Sequence, residues 1–186
     1  MSTRGSYGFY KNGENKLTYN HFDSYPSRLG QDVVNFIKLN DDNSLENIFN
    51  SIQLVKEDDY PNEVEQLTLK QLGYGTQYRG KNLQWYEIIG PHAGDLGIYS
   101  SGFTFMLNNN DFIKNSLFCE WAYIINLDSK ELEIYKGFQK EPNNNRYSID
   151  VPSNSGYYSC KLLTSIQLDI VREIDNLEDY IKKETV

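Results

Sequence analysis

Arg4, Tyr19, Asn20, His21, Asp23 and Tyr25 gather the most reactive set of side chains in the chain into its first stretch. A histidine next to a carboxylate is a natural proton shuttle near neutral pH. An arginine offers a planar fork for a carboxylate or phosphate, and tyrosine rings give stacking surfaces with a polar tip. Together these groups would hold a small anionic or nucleotide-like ligand. The competing reading is a structural network in which Asp23 ends a strand and satisfies Arg4.

A hairpin must position them. Asn12-Gly13 is a strong signal for a two-residue turn, because both residues tolerate the positive φ that a type I′ turn demands. That loop length sets the register: Lys11 faces Glu14, Tyr10 faces Asn15, Gly8 faces Leu17 and Ser6 faces Tyr19. Extended further, Arg4 faces His21 and Ser2 faces Asp23. Alternation then puts Ser2, Arg4, Ser6, Tyr19, His21 and Asp23 on one face. Thr3, Tyr7, Phe9, Thr18, Asn20 and Phe22 take the other. A slip of one residue would exchange the two sets.

The 186 residues suffice for one sizeable core, so a single globular domain over 1–186 is expected. A net charge of −8 argues against duplex DNA, which attracts cationic surfaces. The apolar runs are too short to cross a bilayer and no signal-peptide pattern opens the chain, so no membrane partner and a cytoplasmic location are expected. Cys119 and Cys160 form no motif and read as two buried thiols. Abundant Asn, Lys, Ile and Tyr point to an AT-rich genome.

Beyond the hairpin, Pro26 breaks the strand and Arg28-Leu29-Gly30 makes a bend. Gln31 to Leu39 reads as a short buried helix. Leu45, Ile48, Phe49, Ile52 and Val55 at helical spacing predict a helix from about Ser44 to Lys56. Asn62 caps a third helix running through Leu72, with Val64, Leu67 and Gln71 on its stripe and Gly73 as the left-handed stop. Asn82 to Ile89 favours helix. Leu117 to Leu127 and Glu131 to Phe138 form a second hairpin, apolar on both faces and hence central in a sheet. Residues 140–157 read as a long exposed loop, Tyr158 to Leu168 as a last strand, and Ile174, Leu177 and Ile181 as a closing amphipathic helix. The order predicts an α+β fold, a mainly antiparallel sheet covered by helices.

Other constellations are weaker. His21 with Asp23, and His92 with Asp95, are two pairs of metal-ligating types without a recognised spacing, so no metal site is expected. Gly73-Tyr74-Gly75 lacks the rest of a dinucleotide fingerprint, so no cofactor is expected. Glu131 and Glu133 read as a solvated strand face.

Two resemblances add to this. Thr3-Arg4-Gly5, Tyr19-Asn20-His21-Phe22-Asp23-Ser24-Tyr25-Pro26 and Leu117-Phe118-Cys119-Glu120-Trp121-Ala122-Tyr123 together resemble a family of small uncharacterised bacterial and phage proteins. That resemblance implies no function of its own; its distribution, together with the AT-rich composition, suggests a phage setting in the host cytoplasm, where a ligand-binding protein would capture a nucleotide-derived defence signal, a counter-defence role. The layout of Asn20-His21-Phe22-Asp23 after an N-terminal hairpin is similar to N-terminal nucleophile hydrolases of the choloylglycine hydrolase type. That similarity implies αββα layers and an amide hydrolase. Its catalytic residues would be Ser2, freed by removal of Met1 and using its own α-amine, with Asp23 and Asn20, or His21 as base. A small-ligand binding protein, an amide hydrolase and a non-catalytic interaction protein are the three readings that emerge.

Overall fold

The computed structural model describes residues 3–184. The described residues form nine strands: β1 (Gly5–Lys11), β2 (Glu14–Asn20), β3 (Gln53–Val55), β4 (Gln77–Tyr78), β5 (Lys81–Asn82), β6 (Phe105–Leu107), β7 (Trp121–Asn126), β8 (Glu131–Lys136) and β9 (Lys161–Gln167). The helices are α1 (Gln31–Leu39), α2 (Asp42–Ser51), α3 (Glu63–Gln71), α4 (Trp85–Ile89), α5 (Gly97–Ser100), α6 (Leu168–Val171) and α7 (Leu177–Glu184). The fold is α+β.

The main sheet has five strands in the order β2-β1-β7-β8-β9. Its pairs are antiparallel except β1 with β7, which run parallel, so the sheet is mixed. The first hairpin has the expected register from Lys11–Glu14 through Ser6–Tyr19. Asn12 and Gly13 take φ of 50° and 82°, the type I′ requirement. The two faces also divide as alternation demands. Tyr7 and Phe9 join Tyr123, Ile125, Leu132 and Ile134 in a core against α1, α2, α6 and α7. Leu17 joins Ala122, Ile124 and Tyr135 in a smaller core on the opposite face, covered by a 3₁₀ turn at Phe112–Lys114 that carries Ile113 and by irregular chain around Cys119, Tyr147 and Cys160. β7 is therefore central and buried on both sides. Both cysteines are buried free thiols.

A second large sheet, which αββα layering needs, is not found among the described residues: the other sheets, β3-β6 and β4-β5, have two strands each. Nor is any described helix long and apolar enough to cross a membrane.

Several boundaries depart from the sequence pattern. The second helix stops at Ser51, not Lys56, because Ile52 turns extended and Gln53 N–H donates to the Thr104 carbonyl at 2.7 Å. Ile52 and Val55 are still buried, but as part of a strand approach to β6. Lys16 reinforces that stop by donating from Nζ to the Phe49 and Ile52 carbonyls at 2.8 and 2.7 Å, where the α2 dipole is negative. In α3 the cap is as expected, with a reciprocal Asn62–Glu65 box. Its stripe is not: Val64 and Leu67 are exposed, and Leu69 is the buried contact. The bend after Pro26 is a wide, π-type helical turn over Pro26–Gly30 that runs straight into α1. β7 begins only at Trp121, and the last helix begins at Leu177, leaving Ile174 buried in the preceding turn. β9 alternates as expected near Ile166 but bulges opposite Ile134 and Tyr135, so Leu162 and Leu163 are both partly exposed.

Candidate functional site

The first hairpin delivers the chain to residues 20–25, and there the regular ladder ends at Gly5–Asn20. The next backbone bond across the gap is Ser24 N–H to the Thr3 carbonyl, 3.1 Å. Residues 21–23 are thus pushed out of the ladder, and the expected facing of Arg4 with His21 is not formed. The pairing of Ser2 with Asp23 involves a residue outside the described ones.

Local chemistry explains the excursion. The Asn20 side-chain amide donates to the Phe22 carbonyl and to Ser24 Oγ, 2.8 Å for the latter, tying the loop to its own base. Asp23 adopts a left-handed backbone at φ 51°, which a short polar side chain tolerates. Gly5 makes room: a Cβ there would lie 2.6 Å from both Ser24 Cβ and the Trp121 carbonyl. Ser24 and Asn20 are buried, whereas His21, Phe22 and Asp23 are exposed.

The loop faces a second segment from far along the chain. Gly94 N–H donates to Tyr7 Oη at 2.9 Å, and with φ 86° it sits where a Cβ would meet Asn20 Oδ1 at 2.9 Å. Burial pushes the Tyr7 hydroxyl up to about 12, with Gly94 N–H pulling the other way and Asp95 adding to the rise. Tyr7 is therefore a neutral anchor beneath the loop.

Between the two segments lies an open cleft of about 560 Å³. Asn20, His21, Phe22 and Asp23 line one wall, Arg28, Leu29 and Asp32 the floor side, and Tyr86, Gly90, Pro91, Ala93 and Gly94 the other wall. Asp32 and Gly94 also border a neighbouring cleft of about 670 Å³ that runs past Asp95, Asn40 and Ser100. Partial burial raises the Asp32 carboxyl above the usual range; Arg28 opposes this and Asp95 adds to it.

Of the residues singled out from sequence, Asn20, His21 and Asp23 meet in this cleft. Tyr25 stands behind Asp23, donating to its Oδ1 at 2.8 Å, and that bond raises the phenol. Tyr19 lies beside His21, with Oη 2.5 Å from Nδ1, and its ring packs edge-on against Phe112. Partial burial raises the Tyr19 hydroxyl, with Arg4 opposing. Arg4 follows β7 instead: its carbonyl accepts from Glu120 N–H at 2.9 Å and its guanidinium lies 5.7 Å from the Phe118 ring centre. Ser2 lies outside the described residues.

Arg28, Asp32 and Tyr86 are cleft residues that sequence reasoning missed. The four-residue spacing of Arg28 and Asp32 along one helical run was a usable signal; nothing local marks Tyr86. His92 and Asp95 do not complete a metal site with His21 and Asp23. The His92 ring packs on Tyr74 at 5.1 Å, and among the described residues no three His, Cys, Asp or Glu side chains converge. Glu133, read as solvated, is buried on the second face of the sheet.

No family model, no curated protein and no solved structure matches the chain.

Proposed function

We propose that this protein binds a small polar ligand, nucleotide-like in character, in the cleft between the 20–23 loop and the 90–94 segment. The observation that carries the reading is the meeting of His21, Asp23, Arg28 and Asp32 with the exposed rings of Phe22 and Tyr86 around one opening. The chemistry of that set is mixed. Arg28 suits an anionic group, the two carboxylates accept from hydroxyl or amino donors, and the rings give faces for a base. A volume of about 560 Å³ falls within the range of small-molecule sites. In a phage setting, binding a nucleotide-derived signal without turning it over would sequester it.

The test is incubation with a pool of nucleotides, cyclic nucleotides and polar metabolites, followed by mass spectrometry of bound and converted species. A retained, unchanged ligand that Arg28→Ala and His21→Ala release is expected. Failure of both variants to alter retention, with the fold intact by circular dichroism, would remove the cleft from consideration. Conversion of an amide substrate that depends on Ser2, with intact mass showing loss of Met1, would replace binding by the hydrolase reading.

A further inference from the structure

The second face of the main sheet carries a buried ionic group remote from the cleft chemistry. Glu133, on β8, accepts from Asn126 Nδ2 at 2.8 Å and from Tyr135 Oη at 2.9 Å, and it pairs with the Arg146 guanidinium. That guanidinium lies 3.8 Å from the centre of the Tyr10 ring and 5.2 Å from that of Tyr147. Tyr147 is oriented in turn by donating to Asn15 Oδ1 at 2.8 Å, and its ring meets Tyr135 edge-on. A carboxylate held by two donors, beneath aromatic walls, is a receptor built for a planar cation.

The occupant comes from an unusual place. Between β8 and β9 the chain crosses residues 137–160 with no helix or strand. Many of this segment's bonds are internal, such as Asn143 Nδ2 to the Ser159 carbonyl and Asn145 Nδ2 to the Cys160 carbonyl. Near its ends it is tied to Asn115 and Ser116. Its middle is held to the sheet through Arg146 and Tyr147.

The geometry points to a guanidinium-binding cage, formed by Glu133, Asn126, Tyr135, Tyr10 and Tyr147, that the protein fills with its own Arg146. A guanidinium supplied from outside competes with Arg146 for the sheet-borne part of the cage, Glu133, Asn126, Tyr135 and Tyr10, and lifts the 139–158 strap together with Tyr147.

The Arg146→Ala variant, with methylguanidinium, agmatine or a Gly-Arg-Gly peptide amide added at millimolar concentration, tests this. The expected result is a saturable rise in Tm of about 4 °C, absent with equal sodium chloride or urea and absent in the Glu133→Gln/Arg146→Ala double variant. Rescue by agmatine alone assigns the cage to small guanidines; rescue by the peptide as well extends it to arginine on a flexible chain. A lack of saturable rescue, or equal rescue of the double variant, overturns the assignment. Should Arg146→Ala not fold, hydrogen exchange on the unmodified protein decides instead. Agmatine at saturation is expected to speed exchange across 142–158 by about tenfold, and unchanged exchange overturns the proposal.

Discussion

The two faces of the five-stranded sheet solve the same problem in different ways. One face is covered by helices and, apart from Lys16 and its bonds to the end of α2, its contacts with them are mainly apolar: Phe9, for example, packs edge-on against Phe36 and Phe49 at ring separations of 6.2 and 6.3 Å. The other is covered mainly by irregular chain, with one short 3₁₀ turn at Phe112–Lys114 and no α-helix, and there the sheet buries Glu133, Asn126 and Ser6 beside its apolar residues. Non-directional packing can cover a face with amphipathic helices. Irregular chain brings unpaired backbone groups with it, so its covering must be specified by directed bonds. The difference predicts that the first face is sensitive to volume and the second to pairing.

The largest effect is expected from volume loss on the helical face. Phe9→Ala should cost about 3–5 kcal/mol in urea unfolding, and a loss under about 1 kcal/mol would break the contrast. On the other face Glu133→Gln should cost about 2 kcal/mol, because it leaves the Arg146 cation without its counter-charge in a partly buried site. Replacing both partners, as Glu133→Leu with Arg146→Leu, should recover most of that cost. A double variant as unstable as the single one would mean that the face depends on shape after all.

A smaller effect is expected at the rim of the helical face, where Asp42 accepts from Arg172 at 2.7 Å and pairs with Lys130 at 3.0 Å. These partners, Arg172 first, hold the Asp42 carboxyl below its usual range. A depressed folded-state value means that the stabilisation is present above the unfolded value of about 3.9 and is lost as pH falls through the folded value. Asp42→Asn should therefore lower stability at pH 7 by about 0.5 kcal/mol, after allowing for solvent screening. The difference between variant and parent should close in acid; an unchanged gap at pH 2 would assign it to lost hydrogen-bond geometry. The smallest effect belongs to the cleft: His21→Ala and Arg28→Ala are expected to change stability by less than about 0.5 kcal/mol, so that any loss of ligand retention reports on binding alone.

How much was legible beforehand depended on whether the determining forces were local. The Asn12-Gly13 turn set its own register through backbone conformation, and the two-sided apolar pattern of residues 121–127 reported a central strand. Asn62 and Gly73 marked both ends of α3 by capping chemistry. In contrast, the Arg4–His21 facing assumed that a ladder continues until something breaks it. What broke it was the Asn20 amide bonding to Phe22 and Ser24, a side-chain competition with the backbone that alternation does not register. Val64 and Leu67 looked like a core stripe because helical spacing says nothing of which face has a neighbour. Glu133 takes its partner from residue 146 and Tyr86 shares a cleft with residues 20–23, and no pattern within a strand or a short helix announces either.

The parallel pairing of β1 with β7 has a consequence for how the chain is made. Arg4 and Glu120, joined by a backbone hydrogen bond, are 116 residues apart in sequence. About 100 residues separate the end of the hairpin at Asn20 from the start of β7 at Trp121, so at synthesis rates of roughly 5–20 residues per second the hairpin waits some 5–20 s on the ribosome before its neighbour exists. Throughout that interval the inner edge of β1, with Tyr7 and Phe9 beside it, is an open template for foreign strands. Nascent-chain yield should consequently fall when translation pauses between residues 30 and 120, and a chaperone that shields extended apolar strands should restore it.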